Sequence, residues 1–498
     1  MHSLWHDGAP RNRLTRGRLD SHTTYDAVVV GAGLTGLTTA LLLARAGRSV
    51  AVLESDRVGA LASGSSTGKV SLLQGGVLSN IQSSTSDALL NAYVEANREG
   101  KSWLLRYAAD RGVSFERRDA YTFSATAKGA QRLSDELEAC RAAGLDVDYC
   151  PDIRLPGRPV SGIRMKDQAQ LDPVAVLEVM AADLRNHGGI ICEGTRVLSV
   201  GSHHGNVLHT SRGDVHGLHV VVATGTPILD RGLTFAKLRP SRSYLQAYPV
   251  PHDVDAGLLG MYLSVDSPSR SLRSARWRGQ DMLIAGGSSH SVGDPTRGFN
   301  PHEEIDRWVQ SWFPGVQPTH AWSAQDYSSV DALPLVGPLP RTGGSVWFAT
   351  GFNKWGMTNA VAAALSLSAD ILGDSLPWAE ELYQRPVTVR SVAATVGLNA
   401  RVGARQLSSW GRTLCRPTRD FRPAEGQGQV ERSHGLPTAS STLAGESRSV
   451  SAVCPHLGGI LEWNTTEGSW DCPLHGSRFD ASGKRLEGPA TKDLSDRE

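Results

Sequence analysis

Residues 25–54 constrain the fold more than any other part of the chain. Tyr25-Asp-Ala-Val-Val-Val30 is a short apolar strand that runs directly into Gly31-x-Gly33-Leu34-x-Gly36 and then the helix-forming run Leu37 to Ala46. After Gly47, Ser49-Val-Ala-Val-Leu53 reads as a second strand, and it ends on Glu54. This predicts a βαβ unit built to hold a dinucleotide. Gly31 makes the tight turn, Gly33 lets backbone approach a pyrophosphate, and Gly36 permits close helix–strand packing. The helix N-terminus faces the phosphates. Glu54, about 20 residues on, is placed to accept hydrogen bonds from a ribose. A bare G-x-G-x-x-G is a weak signal; between two strands, with a terminal acid, it is a specific one.

A second constraint sits near the other end. Cys454-Pro-His456 and Cys472-Pro-Leu-His475 supply two cysteines and two histidines as C-x-H and C-x2-H. That is the donor set of a Rieske [2Fe-2S] centre, with Cys454 and Cys472 on one iron and His456 and His475 on the other. Neutral imidazole in place of thiolate leaves such a cluster less negative and easier to reduce. Cys2His2 also suits tetrahedral zinc. The C-x-H spacing, the Pro after each Cys, and the small-residue loops at Gly458-Gly459 and Gly476-Ser477 favour the iron cluster.

Composition bounds the rest. At 498 residues, two or three domains are expected. A net charge of +1 gives no electrostatic case for nucleic acid or for an anionic membrane. Six cysteines, two of them spoken for, show no framework spacing, which points to a reducing cytoplasm. Residues 1–24 carry four arginines and no apolar core of a signal peptide, so they read as a disordered arm. No window approaches the roughly 18 apolar residues that cross a bilayer.

The chain has one G-x-G-x-x-G, whereas a flavin reductase fed by NAD(P)H would ordinarily carry a second. The polar loop Ser63-Gly-Ser-Ser66-Thr67-Gly-Lys69 suits the length of FAD. Further on come Val197, the strand end Thr224-Gly225, and Gly351-Phe-Asn-Lys354-Trp355-Gly356-Met357-Thr358 before an alanine-rich helix. A helix starting near Met357 points its positive end at a flat ring, where it would stabilise negative charge on reduced flavin. At these points residues 25–376 resemble the D-amino-acid-oxidase-like superfamily of FAD enzymes, which includes glycine and sarcosine oxidases. Residues 418–498 resemble Rieske domains. The resemblance implies an α/β FAD-binding Rossmann-like domain drawn from about 25–110, 160–230 and 330–376. It also implies an interleaved α+β substrate domain with an antiparallel sheet, and a small all-β Rieske domain. Respiratory-chain Rieske proteins carry a disulfide where Gly459 and Leu474 stand here, and a hydroxyl-bearing aromatic where Phe479 stands. With only Ser477 left to donate to a cluster sulfur, the potential should fall in the lower half of the roughly −150 to +300 mV Rieske range.

The activity implied is oxidation of a small amine or amino acid at the C–H beside nitrogen. Electrons would leave the FAD singly through the cluster to an external one-electron carrier. Two other readings stay open: an oxidase using O2, with the Rieske module for docking or sensing, and a monooxygenase fed through the cluster. Arg242 and Tyr244 are candidates to clamp a substrate carboxylate. Lys69 and Lys354 are candidates to face the flavin and influence oxygen reactivity, and Trp355 to wall the site. His204, His209 and Asp214 could be spaced for a mononuclear iron, but a strand pattern accounts for them better. Between the modules, 377–417 reads as a connector. Val389, Val392, Val396, Val402 and Leu407 lie at amphipathic spacing among arginines, and a packing helix is preferred to a membrane-surface one.

Overall fold

The computed structural model describes residues 3–8, 17, 19, 23–155, 158–201, 205–229, 231–250, 260–294, 299–415 and 422–497. The Thr24–Val30 strand is apolar because both its faces are covered, and it lies at the centre of a parallel sheet. Val50–Leu53 and Ile190–Cys192 continue the sheet on one side. Gly213–Val222 and Val346–Thr350 continue it on the other, with Leu335–Pro338 as an antiparallel edge. The strands thus come from three separated stretches of chain. Helices Leu34–Arg45 and Gly356–Leu372 pack together against this sheet, both rich in buried Leu and Ala. Gly36 makes that packing possible: a Cβ there would meet the Gly31 carbonyl oxygen at 2.0 Å.

A second, nine-stranded sheet is mixed but mainly antiparallel. It runs from His320–Ser329 through Leu238–Pro249 and Gln280–Ser291 to Phe115–Ser124 and Arg158–Leu171. Asp172 caps helix Pro173–Asn186 by accepting from the Val174 and Ala175 N–H groups, and Leu177, Met180 and Leu184 form its buried face. Ser86 caps the long helix Asp87–Asp110 in the same way. The C-terminal part is all-β. A three-stranded antiparallel sheet (428–451) and a four-stranded one (462–487) enclose a core that includes Trp470 and Phe479.

Two expectations need correcting. The opening arm is not wholly disordered, because Leu4–Gly8 is helical and Leu4 and Trp5 are buried. Trp5 Nε1 donates to the Ser66 carbonyl at 2.9 Å and Ser3 Oγ to that of Gly64 at 2.7 Å, so apolar burial and satisfied polar groups hold the segment. Much of the rest of 1–24 lies outside the described residues. The connector differs as well. Pro377–Tyr383 packs into the flavoprotein through Trp378, Ala379 and Leu382. Val389–Leu414 is a helix opened by a Thr388–Ser391 capping box, yet Val389, Val392, Val396 and Leu407 face outward. Of the five residues expected to pack, Val402 alone leans on the Rieske core.

Candidate functional site

The ends of the parallel strands and the second sheet enclose a cavity of about 1150 Å³. Its floor is the turn after Thr24–Val30. Gly31 has φ +106°, and a Cβ there would meet the Ala223 carbonyl at 2.5 Å; one on Gly33 would meet Ser63 Oγ at 3.1 Å. Ser63 Oγ accepts from the Leu34 N–H at 3.0 Å, which fixes the polar loop over the helix start. Ser66, Thr67 and Lys69 continue that wall. Glu54 reaches the cavity with Oε2 held by the Ala32 N–H at 2.8 Å. Burial raises its pKa, against hydrogen bonds from Ala32, Asp56 and Ser55. Val197, Thr224 and Gly225 line one end, and Gly351, Gly356 and Met357 the other. Neither Gly33 nor Trp355, which precede the helices that start here at Leu34 and at Gly356, caps its helix with its own side chain. Helix-start N–H groups and side-chain-free turns are what a long anionic dinucleotide requires, so these residues fit FAD.

Two of the nominated cofactor residues do not reach the cavity. Gly36 sits beneath the turn in its packing role. Thr358 points the other way, where its Oγ1 donates to Asn97 Oδ1 at 2.6 Å within a buried network that includes Gln74, Tyr93 and Asn359.

Of the substrate-side candidates, Lys69 is buried and donates to the Tyr262 carbonyl and to Ser271 Oγ, each at 2.7 Å. Burial, reinforced by Arg273, pulls its pKa down to about 7. Lys354 and Trp355 line the cavity, and Lys354 Nζ bonds Ser289 Oγ. Beside them stands Asp326, which accepts from the Lys354 backbone N–H. Desolvation pushes Asp326 up to about 6, partly offset by backbone N–H groups and the Lys354 charge. Asp326 was missed because a single acid in a strand carries no motif.

Arg242 and Tyr244 prove to be something else. The Arg242 guanidinium is 2% exposed and faces the Rieske domain, not the cavity. It pairs with Glu487 Oε1 at 2.8 Å and with Glu467 Oε2 at 3.5 Å, and bonds Ser323 Oγ and Gln325 Oε1. Arg478 holds the same two carboxylates from the Rieske side, at 2.7 and 3.3 Å. Burial alone would raise Glu467; the two arginines outweigh it and hold it below the usual range. Tyr244 lines the cavity, but its buried hydroxyl lies 3.1 Å from His290 Nε2 and accepts from Asn464 Nδ2 at 3.4 Å. With both Arg242 Nη atoms and the Tyr244 hydroxyl engaged by the Rieske domain and its neighbours, neither residue is free to clamp a carboxylate.

Cys454, His456, Cys472 and His475 converge at the tip of the Rieske domain. The His456 and His475 rings lie 5.1 Å apart. His475 Nδ1 is buried without a hydrogen-bond partner. Burial, with His456 beside it, pulls His475 down to about 4, so the ring is neutral, as a metal-binding imidazole must be. The Cys472 side chain hydrogen-bonds Cys454 and, with Ser477, lowers the Cys454 pKa. The four donors fit the two-iron cluster. Gly459 and Leu474 touch each other beside Cys472 Sγ. His204 lies outside the described residues, while His209 contacts Asp214 at 2.9 Å on an exposed hairpin.

The two sites meet. Phe235 stands edge-on to both ligand rings, 4.9 Å from His456 and 4.7 Å from His475. Gln325 Nε2 donates to the Gly476 carbonyl at 2.8 Å, and Gly293 lets Pro473 approach so closely that a Cβ would meet its Cα at 2.5 Å. Arg485, Leu486, Glu487 and Gly488 of the Rieske domain line the same cavity as Gly31 and Gly33.

The family model described as FAD dependent oxidoreductase matches residues 26–369, and that for the Rieske [2Fe-2S] domain matches 427–496. The chain belongs to the FAD-dependent oxidoreductase family. It is a flavoenzyme with a C-terminal Rieske domain, and its cofactors are FAD and a [2Fe-2S] cluster. The Rieske 2Fe-2S iron-sulfur protein YhfW of Bacillus subtilis is 29% identical over 96% of this chain and 94% of its own length. Glycine oxidase of Bacillus licheniformis is 24% identical over 70% of this chain and 94% of its own. Among solved structures, glycine oxidase from Geobacillus kaustophilus superposes with a TM-score of 0.61 at 17% identity, over 73% of this chain and 99% of that one.

Removing one partner of a buried ion pair typically costs about 3–5 kcal/mol. Arg242→Gln, which leaves Glu467 and Glu487 with Arg478 alone, should therefore loosen the Rieske domain while leaving the cavity floor intact. The expected result is unchanged FAD content but faster hydrogen exchange across 462–488. Unaltered exchange there would show that the network does not hold the domains together.

Proposed function

We infer that this flavoenzyme dehydrogenates a small amine or amino acid and passes the electrons out through its own Rieske domain. FAD held by these residues would supply a two-electron acceptor for the hydride of the C–H beside nitrogen, leaving an imine, and a cluster held by Cys454, His456, Cys472 and His475 would supply a one-electron exit to two equivalents of an external carrier. The observation that supports the relay most strongly is the docking of the cluster's histidine edge against Phe235 on the flavoprotein, with 485–488 walling the cofactor cavity. A cluster used only to sense or to dock partners gains nothing from having its ligands turned inward. The resemblance to glycine oxidase supports the substrate class.

Within the cavity, the chain's own groups have separable tasks. The starts of Leu34–Arg45 and Gly356–Leu372 bind anionic parts of the cofactor. The Ser63–Thr67 loop, backed by Trp5 and Ser3 of the opening helix, holds it in register and keeps water out. Trp355 closes the substrate side. Asp326 takes the proton of an incoming substrate ammonium, so that a neutral amine faces the flavin. Lys354 positions Asp326 through its backbone N–H and keeps the carboxylate paired.

Two measurements test this reading. In anaerobic mixing with a panel of amino acids and secondary or tertiary amines, a true substrate should bleach the flavin bands, and a reduced-Rieske EPR signal should follow within turnover time. Flavin that bleaches while the cluster stays oxidised until air is admitted would establish an oxidase instead. Because Asp326 accepts a proton only when ionised, flavin reduction should rise with pH through about 6. Asp326→Asn should abolish that rise and slow reduction by about 10²-fold or more. An unaltered profile would remove Asp326 from the chemistry.

A further inference from the structure

A backbone contact places Arg196 at the adenosine end of the cavity. The carbonyl of Glu54, the acid positioned for the ribose, accepts from the Thr195 N–H at 2.7 Å. Arg196 and Val197 follow directly, and both line the cavity. The Rieske domain reaches the same end. The Tyr327 hydroxyl donates to the Gly488 carbonyl at 3.3 Å, and Gly488 lies so near Ile228 that a Cβ would touch its Cγ2 at 3.5 Å. The strand Arg485–Glu487 is thereby laid along the cavity, with Arg485 close enough to Arg196 for their charges to oppose. Asp326, Lys354 and Trp355 lie with Gly351 and Gly356 at the other end.

Neither arginine has a carboxylate of its own. Arg485 is 3% exposed, and among the described residues its guanidinium meets only the Ala490 carbonyl, at 2.5 Å. Asp493 accepts from the Arg485 backbone N–H at 2.8 Å, and Glu487 is held by Arg242 and Arg478. The Arg196 side chain makes no ion pair among the described residues. Burial, reinforced by Arg196 and partly offset by Asp493, pulls Arg485 down to about 10. Two like charges facing one enclosed space cost free energy until an anion joins them. A guanidinium fork matches phosphate oxygens, and the diphosphate is the anionic part of FAD.

We propose that Arg485 of the Rieske domain and Arg196 of the flavoprotein jointly bind the diphosphate of FAD, which makes the docked Rieske domain part of the FAD site. Docking then raises the affinity for FAD, and FAD by reciprocity favours docking. This role requires FAD alone, whatever the substrate and whichever way electrons flow.

The test uses the full-length protein with its cluster in place and its FAD removed. FAD is titrated by quenching of flavin fluorescence, and ADP, which carries the same diphosphate, by competition with FAD. Losing a charge-assisted hydrogen bond costs about tenfold or more in affinity, so Arg485→Gln and Arg196→Gln should each raise the dissociation constant for FAD by that factor. The constant for ADP should rise as much, since the loss falls on the shared half. A loss of this size weakens a tight site without emptying it, so affinity rather than FAD content is what moves. Arg485 also holds the Ala490 carbonyl, whereas the Arg196 side chain makes no bond to the Rieske domain among the described residues. Arg196→Gln therefore separates a lost phosphate contact from a loosened domain, and the reduced-cluster EPR signal should be unchanged in both variants. Either variant binding FAD and ADP like wild type would overturn the proposal. So would weakened FAD binding with unaltered ADP binding, which would put the action of the arginines in another part of the cavity.

Discussion

The buried ion network of Arg242, Arg478, Glu467 and Glu487 is the interaction on which the architecture depends. Two arginines, one from each domain, share two carboxylates that belong to the Rieske domain. Such groups are costly to bury singly and tolerable only when paired and hydrogen-bonded. The network therefore penalises partial undocking: separating the domains leaves Arg242 without its carboxylates. The close contacts at Gly293–Pro473 and Gly476–Pro240 add a steric fit that a shifted docking position would lose. Because Glu487 is both a network member and a cavity-lining residue, domain docking and the shape of the cofactor cavity are one structural fact.

That arrangement gives the fold its functional sense. An oxidase-like flavoprotein needs only its parallel sheet, its mixed sheet and the cavity between them. Here Leu238–Pro249 and His320–Ser329 of the mixed sheet do double duty. Tyr244 and Asp326 face the cavity from these strands, while Arg242 and Gln325, close by on the same two strands, meet the Rieske domain. Some positions serve both sites at once: Tyr244 and Gln325 line the cavity and also bond Asn464 and Gly476 of the Rieske domain. The long helix then ties the pair from outside, touching the flavoprotein near Ser83 and Ala236 and the Rieske ligand loop at Leu457 and Gly458.

What could be read from the sequence was whatever chemistry forces into a short span. The turn at Gly31–Gly36 must be local because one backbone turn makes it, and Cys454–His456 and Cys472–His475 must be close because each loop reaches the cluster. Roles set by partners distant in sequence were not. Arg242 meets Glu487 across 245 residues, so a buried arginine on a strand looked like a carboxylate clamp. Thr358, one residue past the cavity, turns into a network with Asn97 because the helix rotates each position by about 100°. Leu4 and Trp5 looked like part of a polar arm because two apolar residues carry no periodicity. The valines of the connector showed the right spacing, but spacing alone does not say whether protein or something else covers a face.

The claim at the centre of this account is that electrons pass from flavin to cluster inside one chain. It is tested most directly by photoreducing the flavin anaerobically in a short pulse and following the cluster optically over a wide range of protein concentration. The account predicts first-order cluster reduction at a rate independent of dilution. A rate that falls in proportion to concentration, or a cluster that remains oxidised, would show that the docked Rieske domain is not the flavin's electron acceptor.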